Sequence, residues 1–312
     1  MEQRILELLN EIYPLDFVQI ESVTEQMYRC TTEQEEFYAR ITNYKTYDEQ
    51  LEEVTFTNFL YKEGFGVPPV ISSLNGNLIE QMNLEGEVLT VLYRAAPGIH
   101  LPRNQWKPNV LKELGRQIGK LHCLSRKFEE LETVKYRKDW YENEEYHFLT
   151  FIPKEETTIR QVAHGVLSTI SELPKNHSTY GLLHGDLWLE NILIDRDSNV
   201  TMIDFQDCER HYYLYDLAIP IYSALEYTFV GDGNLINYER SITKAIIDGY
   251  QEENNLSSDM LEKLPLFIKL KELFEYNSMH MNWDKENLTE EQIRIMNLYR
   301  SKIERDSINF KL

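Results

Sequence analysis

The chain has 312 residues, room for two domains at about 150 residues each, and carries 32 basic against 52 acidic side chains, a formal charge of −20. An acidic surface cannot displace counterions from phosphates, so neither nucleic acid nor an anionic membrane is an expected partner. Apolar residues make up 42% and aromatics 12%, a globular composition; no run approaches the ~18 apolar residues of a membrane span, and Cys30, Cys123 and Cys208 lack metal or disulfide spacing, which points to the cytoplasm.

The N-terminal MEQRILELLNEIYP reads as the start of an amphipathic helix rather than a signal peptide. From residue 17 to 42 the pattern is strand-like: FVQIESV, MYRC and FYARIT. In the last, alternation puts Phe37, Ala39 and Ile41 on one face and Arg40, with Tyr38, on the other. YDEQLEEVTFTNFLYK, residues 47–62, predicts a helix, with Asp48 and Glu49 in its first turn and Gly64 past its end. Glu53, Phe56 and Leu60 share one face of it. VPPVI and a short strand pair turning at Asn75-Gly76-Asn77 predict a hairpin, and EVLTVLY a buried strand that stops at Ala96-Pro97-Gly98.

That Pro-Gly marks the expected boundary between a β-rich lobe, residues 1–96, and a helical lobe, residues 97–312. Val110, Leu114, Ile118 and Leu121 mark an amphipathic helix, and further helices are predicted near 158–172, 235–252, 258–280 and 288–306.

Among these helices lies one apolar, strand-like island, YGLLHGDLWLENILIDRDSNVTMIDFQD, residues 180–207. Strand ILI, a turn from Asp195 to Asn199 and strand VTMI fold the chain back, so Asp204 returns beside the His184–Asn191 loop. Three oxygen-bearing side chains, Asp186, Asn191 and Asp204, then meet at one edge. Few, hard oxygen ligands suit Mg²⁺ that also holds phosphates and water. HxDxxxxN followed by hydrophobic-Asp-Phe is the kinase arrangement of those parts, where a carboxylate orients the attacking hydroxyl and metal ions bridge the phosphates. An isolated Asp204 would read as a turn acid and an isolated His184 as a core histidine. Their joint spacing should arise by chance in on the order of one in a thousand chains of this length.

At these residues the sequence resembles the aminoglycoside phosphotransferase and choline kinase superfamily, small-molecule relatives of protein kinases. HGDLWLENIL, MIDFQD, Tyr215-Asp216-Leu217-Ala218 and ELGRQIGKLHCLS (113–125) carry the resemblance, which covers most of residues 20–230. It implies an α+β, protein kinase-like bilobal fold with a small β-rich N-lobe and a larger, mostly helical C-lobe. It further implies Asp186 as catalytic base and Asn191 and Asp204 as Mg²⁺ ligands. Arg40 takes the family's phosphate-holding strand position and Glu53 its partner on the helix, fourteen residues before Val67-Pro68. Tyr93, Arg94 and Ala95 would offer backbone groups to the adenine of ATP (or GTP). Thr24 sits in the expected phosphate-covering loop, SVTEQMY, which has no glycine. Asp204 is followed by Phe-Gln-Asp rather than Phe-Gly, which makes Asp207 an auxiliary candidate.

The expected activity is transfer of the γ-phosphoryl group to a hydroxyl of a small molecule such as an aminoglycoside or amino alcohol. Candidate acceptor-lining residues are Asp139, Trp140, Tyr141, Glu144 and Glu145, with Glu209, His211, Tyr212, Tyr213, Glu226 and Tyr227. Acids interleaved with aromatics suit an amine-bearing, cationic acceptor. A protein Ser/Thr kinase of the same fold and a non-catalytic nucleotide-binding scaffold stand as alternatives, and a monomer and a homodimer are both open.

Overall fold

The structure, a computed structural model, describes residues 1–131, 134–227 and 235–305. Its helices are α1 (Glu2–Ile12), α2 (Tyr47–Lys62), α3 (Pro108–Leu131), α4 (Phe148–Phe151), α5 (Thr157–Ser171), α6 (Tyr213–Tyr227), α7 (Leu235–Glu253), α8 (Ser258–Leu261), α9 (Leu264–Asn282) and α10 (Glu290–Glu304). Its strands are β1 (Gln19–Ser22), β2 (Met27–Thr31), β3 (Glu36–Thr42), β4 (Val70–Ile71), β5 (Glu80–Asn83), β6 (Glu87–Arg94), β7 (Tyr180–Leu183), β8 (Ile192–Ile194), β9 (Val200–Met202) and β10 (Glu209–Tyr212). The chain divides into two units, one of residues 1–101, 127–137 and 190–208, the other of 102–126, 138–189 and 209–312.

The first unit is built on an antiparallel sheet of order β1-β2-β3-β6-β4, with β5 also on β6. The alternation of β3 sends Phe37, Ala39 and Ile41 into a core with Ile5 and Leu9 of α1, Tyr13 and Phe17. Arg40 faces the other way, in register with Met27 and Val91. Helix α2 begins at a capping box in which Thr46 and Glu49 satisfy each other's backbone N–H groups. It buries Glu53, Phe56 and Leu60 on one face, as the spacing predicts.

The hairpin expected at Asn75-Gly76-Asn77 does not form. The turn is there, with Gly76 N–H donating to Ser73 O at 2.9 Å and Gly76 at φ +82°. Its flanking strands do not pair with each other, because both dock on β6: Val70 opposite Tyr93, and Glu80 opposite Thr90. The long strand offers more backbone partners than a two-residue strand could. Downstream, β8 and β9 form the expected hairpin, with Asp195 Oδ1 accepting the Asp197 and Asn199 N–H groups.

The second unit is helical, with one small sheet in which β10 pairs antiparallel with β7. Strand β10 has no alternation in ERHY to announce it; its partner lies 26 residues upstream at the nearest register pair, Glu209 opposite Leu183. Helices α3 and α7 approach closely enough that a Cβ on Gly115 would fall 2.0 Å from Ile246 O, and one on Gly249 1.8 Å from Lys112 O. The helix expected over 258–280 is two, α8 and α9. Pro265 in the first turn of α9 lacks an N–H and cannot continue α8, while Ser257 caps α8 through Met260 N–H. Among the described residues no helix is long and apolar enough to cross a membrane, and no disulfide links the three cysteines.

Candidate functional site

Within the first unit a cavity of about 540 Å³ is lined by Arg40, Glu53, Tyr93, Ala95, Asn191 and Asp204, among others. Arg40 and Glu53 are both almost fully buried, and Arg40 Nη2 donates to Glu53 Oε1 at 2.5 Å. Two further cations reach Glu53: Lys45 Nζ at 3.2 Å and Arg137 Nη2 at 3.8 Å. Burial opposes the charge on both partners. The three cations outweigh it for Glu53, holding its carboxyl below the ordinary value, and Tyr93, Glu53 and Asp204 outweigh it for Arg40, whose guanidinium is held above. Arg40 Nε has no hydrogen-bond partner, and the guanidinium lies 5.6 Å from the Tyr93 ring.

The β8–β9 hairpin sets Asn191 and Asp204 side by side, as Ile203 N–H donates to Asn191 O at 3.0 Å. Asp204 leaves β9 at φ +64°, ψ +67°, a left-handed conformation that costs an ordinary residue of order 1 kcal/mol. The segment after it is tied down on every side. Phe205 packs edge-on to Phe56 at 6.0 Å; Lys45 Nζ donates to Gln206 O at 2.6 Å; Arg137 donates to Gln206 O and Cys208 O at 3.4 and 3.3 Å. One carboxylate and one amide oxygen are a donor set that a hard cation accepts when phosphate and water complete its shell. Among the described residues no group of three His, Cys, Asp or Glu is placed to hold a metal.

In the second unit Asp186 follows β7 on a loop whose Gly185 has φ +87°. Asp216 of α6 clamps this loop, accepting the N–H groups of His184 and Gly185 at 2.9 and 3.0 Å. His122 of α3 holds Asp216 Oδ2 through Nε2 at 3.0 Å, and its Nδ1 meets Tyr250 OH of α7 at 3.0 Å. Burial keeps the His122 pKa below its ordinary value against the pull of Asp216. A neutral His122 donates from Nε2 and accepts at Nδ1, which matches both partners. His184 Nδ1 accepts the Asp186 N–H at 3.3 Å, so His184 shapes the loop. Lys271 of α9 approaches Asp186 Oδ1 at 3.5 Å.

The structure thus brings Arg40, Glu53, Tyr93, Ala95, Asn191 and Asp204 to one cavity and places Asp186 on the clamped loop of the other unit. Thr24 does not line the cavity. Val23 and Met27 do, while the Thr24 hydroxyl accepts the Gln26 and Met27 N–H groups and closes the β1–β2 turn. Asp207 is likewise absent from the lining. The N–H groups of Arg94 and Ala95 are already donated, to Pro69 O at 3.0 Å and Glu36 O at 2.9 Å, which removes two of the backbone groups expected to meet a base.

Several of the expected acceptor-lining residues are buried or engaged in packing and hydrogen bonds. His211, Tyr212 and Tyr213 are fully buried. Glu209 accepts from Tyr146 OH at 2.6 Å, and Glu226 from Tyr299 OH and Lys302 Nζ, both at 3.1 Å. Trp140 stacks on His211 at 4.9 Å. The side chain of Tyr227 lies outside the described residues. Tyr141 and Glu144 are exposed and Asp139 partly buried, while Glu145, half-buried, sits in the field of Lys271, Asp186 and Glu275, and burial raises its pKa. Lys45, Arg137, Asp216 and Lys271 were not singled out from the sequence as site residues. Asp216 alone carried a signal, as part of the Tyr-Asp-Leu-Ala motif.

A family model described as "Phosphotransferase enzyme family" matches residues 16–237. Amicoumacin kinase of Bacillus subtilis is 26% identical over 282 residues, which covers 89% of this chain and 84% of that protein. Among solved structures, an amicoumacin kinase in complex with AMP-PNP, Ca²⁺ and Ami superposes with a TM-score of 0.88 at 24% identity, covering 98% of this chain and 94% of that one. A microcompartment-associated aminopropanol kinase superposes with a TM-score of 0.76 at 17% identity, covering 97% and 95%. These likenesses show the protein kinase-like fold of the small-molecule kinases, with a small antiparallel sheet in the N-terminal part and a helical C-terminal part.

Proposed function

The chain belongs to the phosphotransferase enzyme family, with an alcohol group as acceptor, and from that premise we propose that it moves the γ-phosphoryl group of ATP or GTP, with Mg²⁺, onto a hydroxyl of a small amine-bearing molecule. The observation that carries the nucleotide half is the buried Arg40–Glu53 pair, with Arg40 Nε unpartnered, in a cavity that Asn191 and Asp204 also line. A buried guanidinium donor with no protein partner is costly unless a ligand completes it, and phosphate oxygens are its natural complement. Glu53 fixes the guanidinium from behind, and Lys45 and Arg137 fix Glu53. Asn191 and Asp204 are the residues that would hold Mg²⁺, which when bound supplies neutralisation of charge on the β- and γ-phosphates.

Asp186 accepts a hydrogen bond from the acceptor hydroxyl and aligns it for attack; positioning and charge neutralisation supply most of the rate in this chemistry. The Asp216 clamp holds the loop so that Asp186 is set before the acceptor arrives. The relatives' names nominate amicoumacin and aminopropanol as first acceptors to assay, and aminopropanol is an amino alcohol. Since those names are of small-molecule kinases, a protein Ser/Thr acceptor is not favoured.

The test is ADP release with MgATP and MgGTP across amicoumacin, aminopropanol, choline, homoserine and aminoglycosides, repeated on Asp186→Ala. Turnover should fall by at least about 10²-fold while nucleotide affinity stays within a few-fold. Retained turnover in that variant overturns the assignment.

A further inference from the structure

We propose that Lys271 is a positioning residue for Asp186, fixing the orientation of its carboxylate toward the acceptor hydroxyl; this rests on the reading of Asp186 above. Lys271 is 1% exposed, on α9, far in sequence from the catalytic loop. Its Nζ lies 2.8 Å from Glu275 Oε1 and 3.5 Å from Asp186 Oδ1. The ammonium also sits 5.0 Å from the ring centre of Trp188 and 4.7 Å from that of Phe274. Trp188 belongs to the loop itself, and its N–H donates to Asp186 O at 2.9 Å. One cation therefore touches the loop twice, at the Asp186 carboxylate and at the indole two residues on.

Stability does not explain this lysine. Burying an ammonium costs several kcal/mol, and an apolar side chain of similar length between Trp188 and Phe274 would pack more cheaply. The i,i+4 contact to Glu275 is one that an exposed lysine could make without that cost. What burial adds is the approach to Asp186. The terminal torsion of an aspartate is soft and nearly two-fold, so an outside contact must choose its orientation. A cation held on Oδ1 restrains that torsion, and the second oxygen then keeps one direction. At 3.5 Å the ammonium orients the carboxylate by charge rather than through a short hydrogen bond.

The experiment compares Lys271→Met, Lys271→Arg, Glu275→Gln and Asp186→Asn in the full chain. The probe is MgATP turnover, with water as acceptor and with amicoumacin, alongside thermal melting. Lys271→Met should lower kcat by about tenfold or more, with the KM for ATP within about twofold. Lys271→Arg should restore kcat to within about threefold, because it returns the charge. Glu275→Gln should leave kcat within about threefold, since the ammonium keeps its approach to Asp186. Wild-type kcat in Lys271→Met, with Asp186→Asn inactive, overturns this inference and leaves the Asp186 reading standing. Wild-type kcat in Asp186→Asn overturns that reading itself. If Lys271→Met does not fold, Glu275→Gln decides: a loss of tenfold or more there means the carboxylates and the ammonium form a structural cluster, and the inference fails.

Discussion

Glu53 is paired with three cations while Glu53 is the carboxylate hydrogen-bonded to Arg40, and this asymmetry makes their loss unequal. Glu53→Gln strands a buried guanidinium and should destabilise the protein by about 3 kcal/mol. Arg40→Met leaves Glu53 with Lys45 and Arg137 and should cost less, while raising the KM for nucleotide by about tenfold or more. Denaturant midpoints and nucleotide titrations on the two variants check the order; equal destabilisation would contradict it. The pH dependence follows from the lowered Glu53 pKa. Its stabilising contribution is complete above the ordinary carboxyl value and is lost as pH falls through the folded one. The gap in stability between wild type and Glu53→Gln should therefore shrink between pH 5 and pH 3. The family resemblance paired Arg40 with Glu53, and strand alternation agreed with it by turning Arg40 away from Phe37, Ala39 and Ile41. Lys45, Arg137 and Lys271 were not, since a lysine or arginine read alone is a solvated side chain and only a distant partner shows otherwise.

At the scale of elements, two glycines in helices behave oppositely. Gly249 of α7 abuts Lys112 O of α3, so Gly249→Ala forces the helices apart and should cost about 1–3 kcal/mol. Gly165 of α5 has open space where a Cβ would go, and Gly165→Ala should stabilise by about 0.5–1 kcal/mol through helix propensity. Melting curves of the two variants should move in opposite directions. Local pattern foresaw α2 to the residue, because the acids of its first turn and Gly64 past its end bound it chemically. It failed for β4 and β5, which β6 captures, and for β10, which only β7 makes a strand. Strand pairing is a contest among distant backbone edges, and the turn at Asn75-Gly76-Asn77 has no say in who wins it.

For the molecule as a whole, the formal charge of −20 is compatible with the proposed phosphate site because Arg40, Lys45 and Arg137 gather locally around Glu53. The acid response depends on buried histidines. Burial lowers the pKa of both His122 and His211, and His211 falls well below its ordinary value. The unfolded chain takes up protons near pH 6.5 that the folded chain refuses, so their contribution is complete above about pH 6.5 and declines below it. Each such histidine should cost up to about 1.4 kcal/mol per pH unit over that window. Denaturant midpoints from pH 8 to pH 5 should fall, and His211→Asn should flatten the slope. An unchanged slope in that variant would remove His211 as a source.

The spacing of His184-Gly185-Asp186, Asn191 and Asp204 carried the family resemblance by itself, and the β8–β9 hairpin between Asn191 and Asp204 formed as local pattern predicts, since its turn is closed by its own residues. Composition and periodicity likewise settled a sheet-rich beginning and a helical remainder. Tertiary structure decided which acids and aromatics are available to a ligand. Glu209, Glu226, His211, Tyr212 and Tyr213 read as candidates for an acceptor site and are engaged by packing and hydrogen bonds, whereas Lys271, which local pattern does not single out, is buried against Asp186. Burial and long-range pairing depend on what the rest of the chain places nearby, and no local pattern records that.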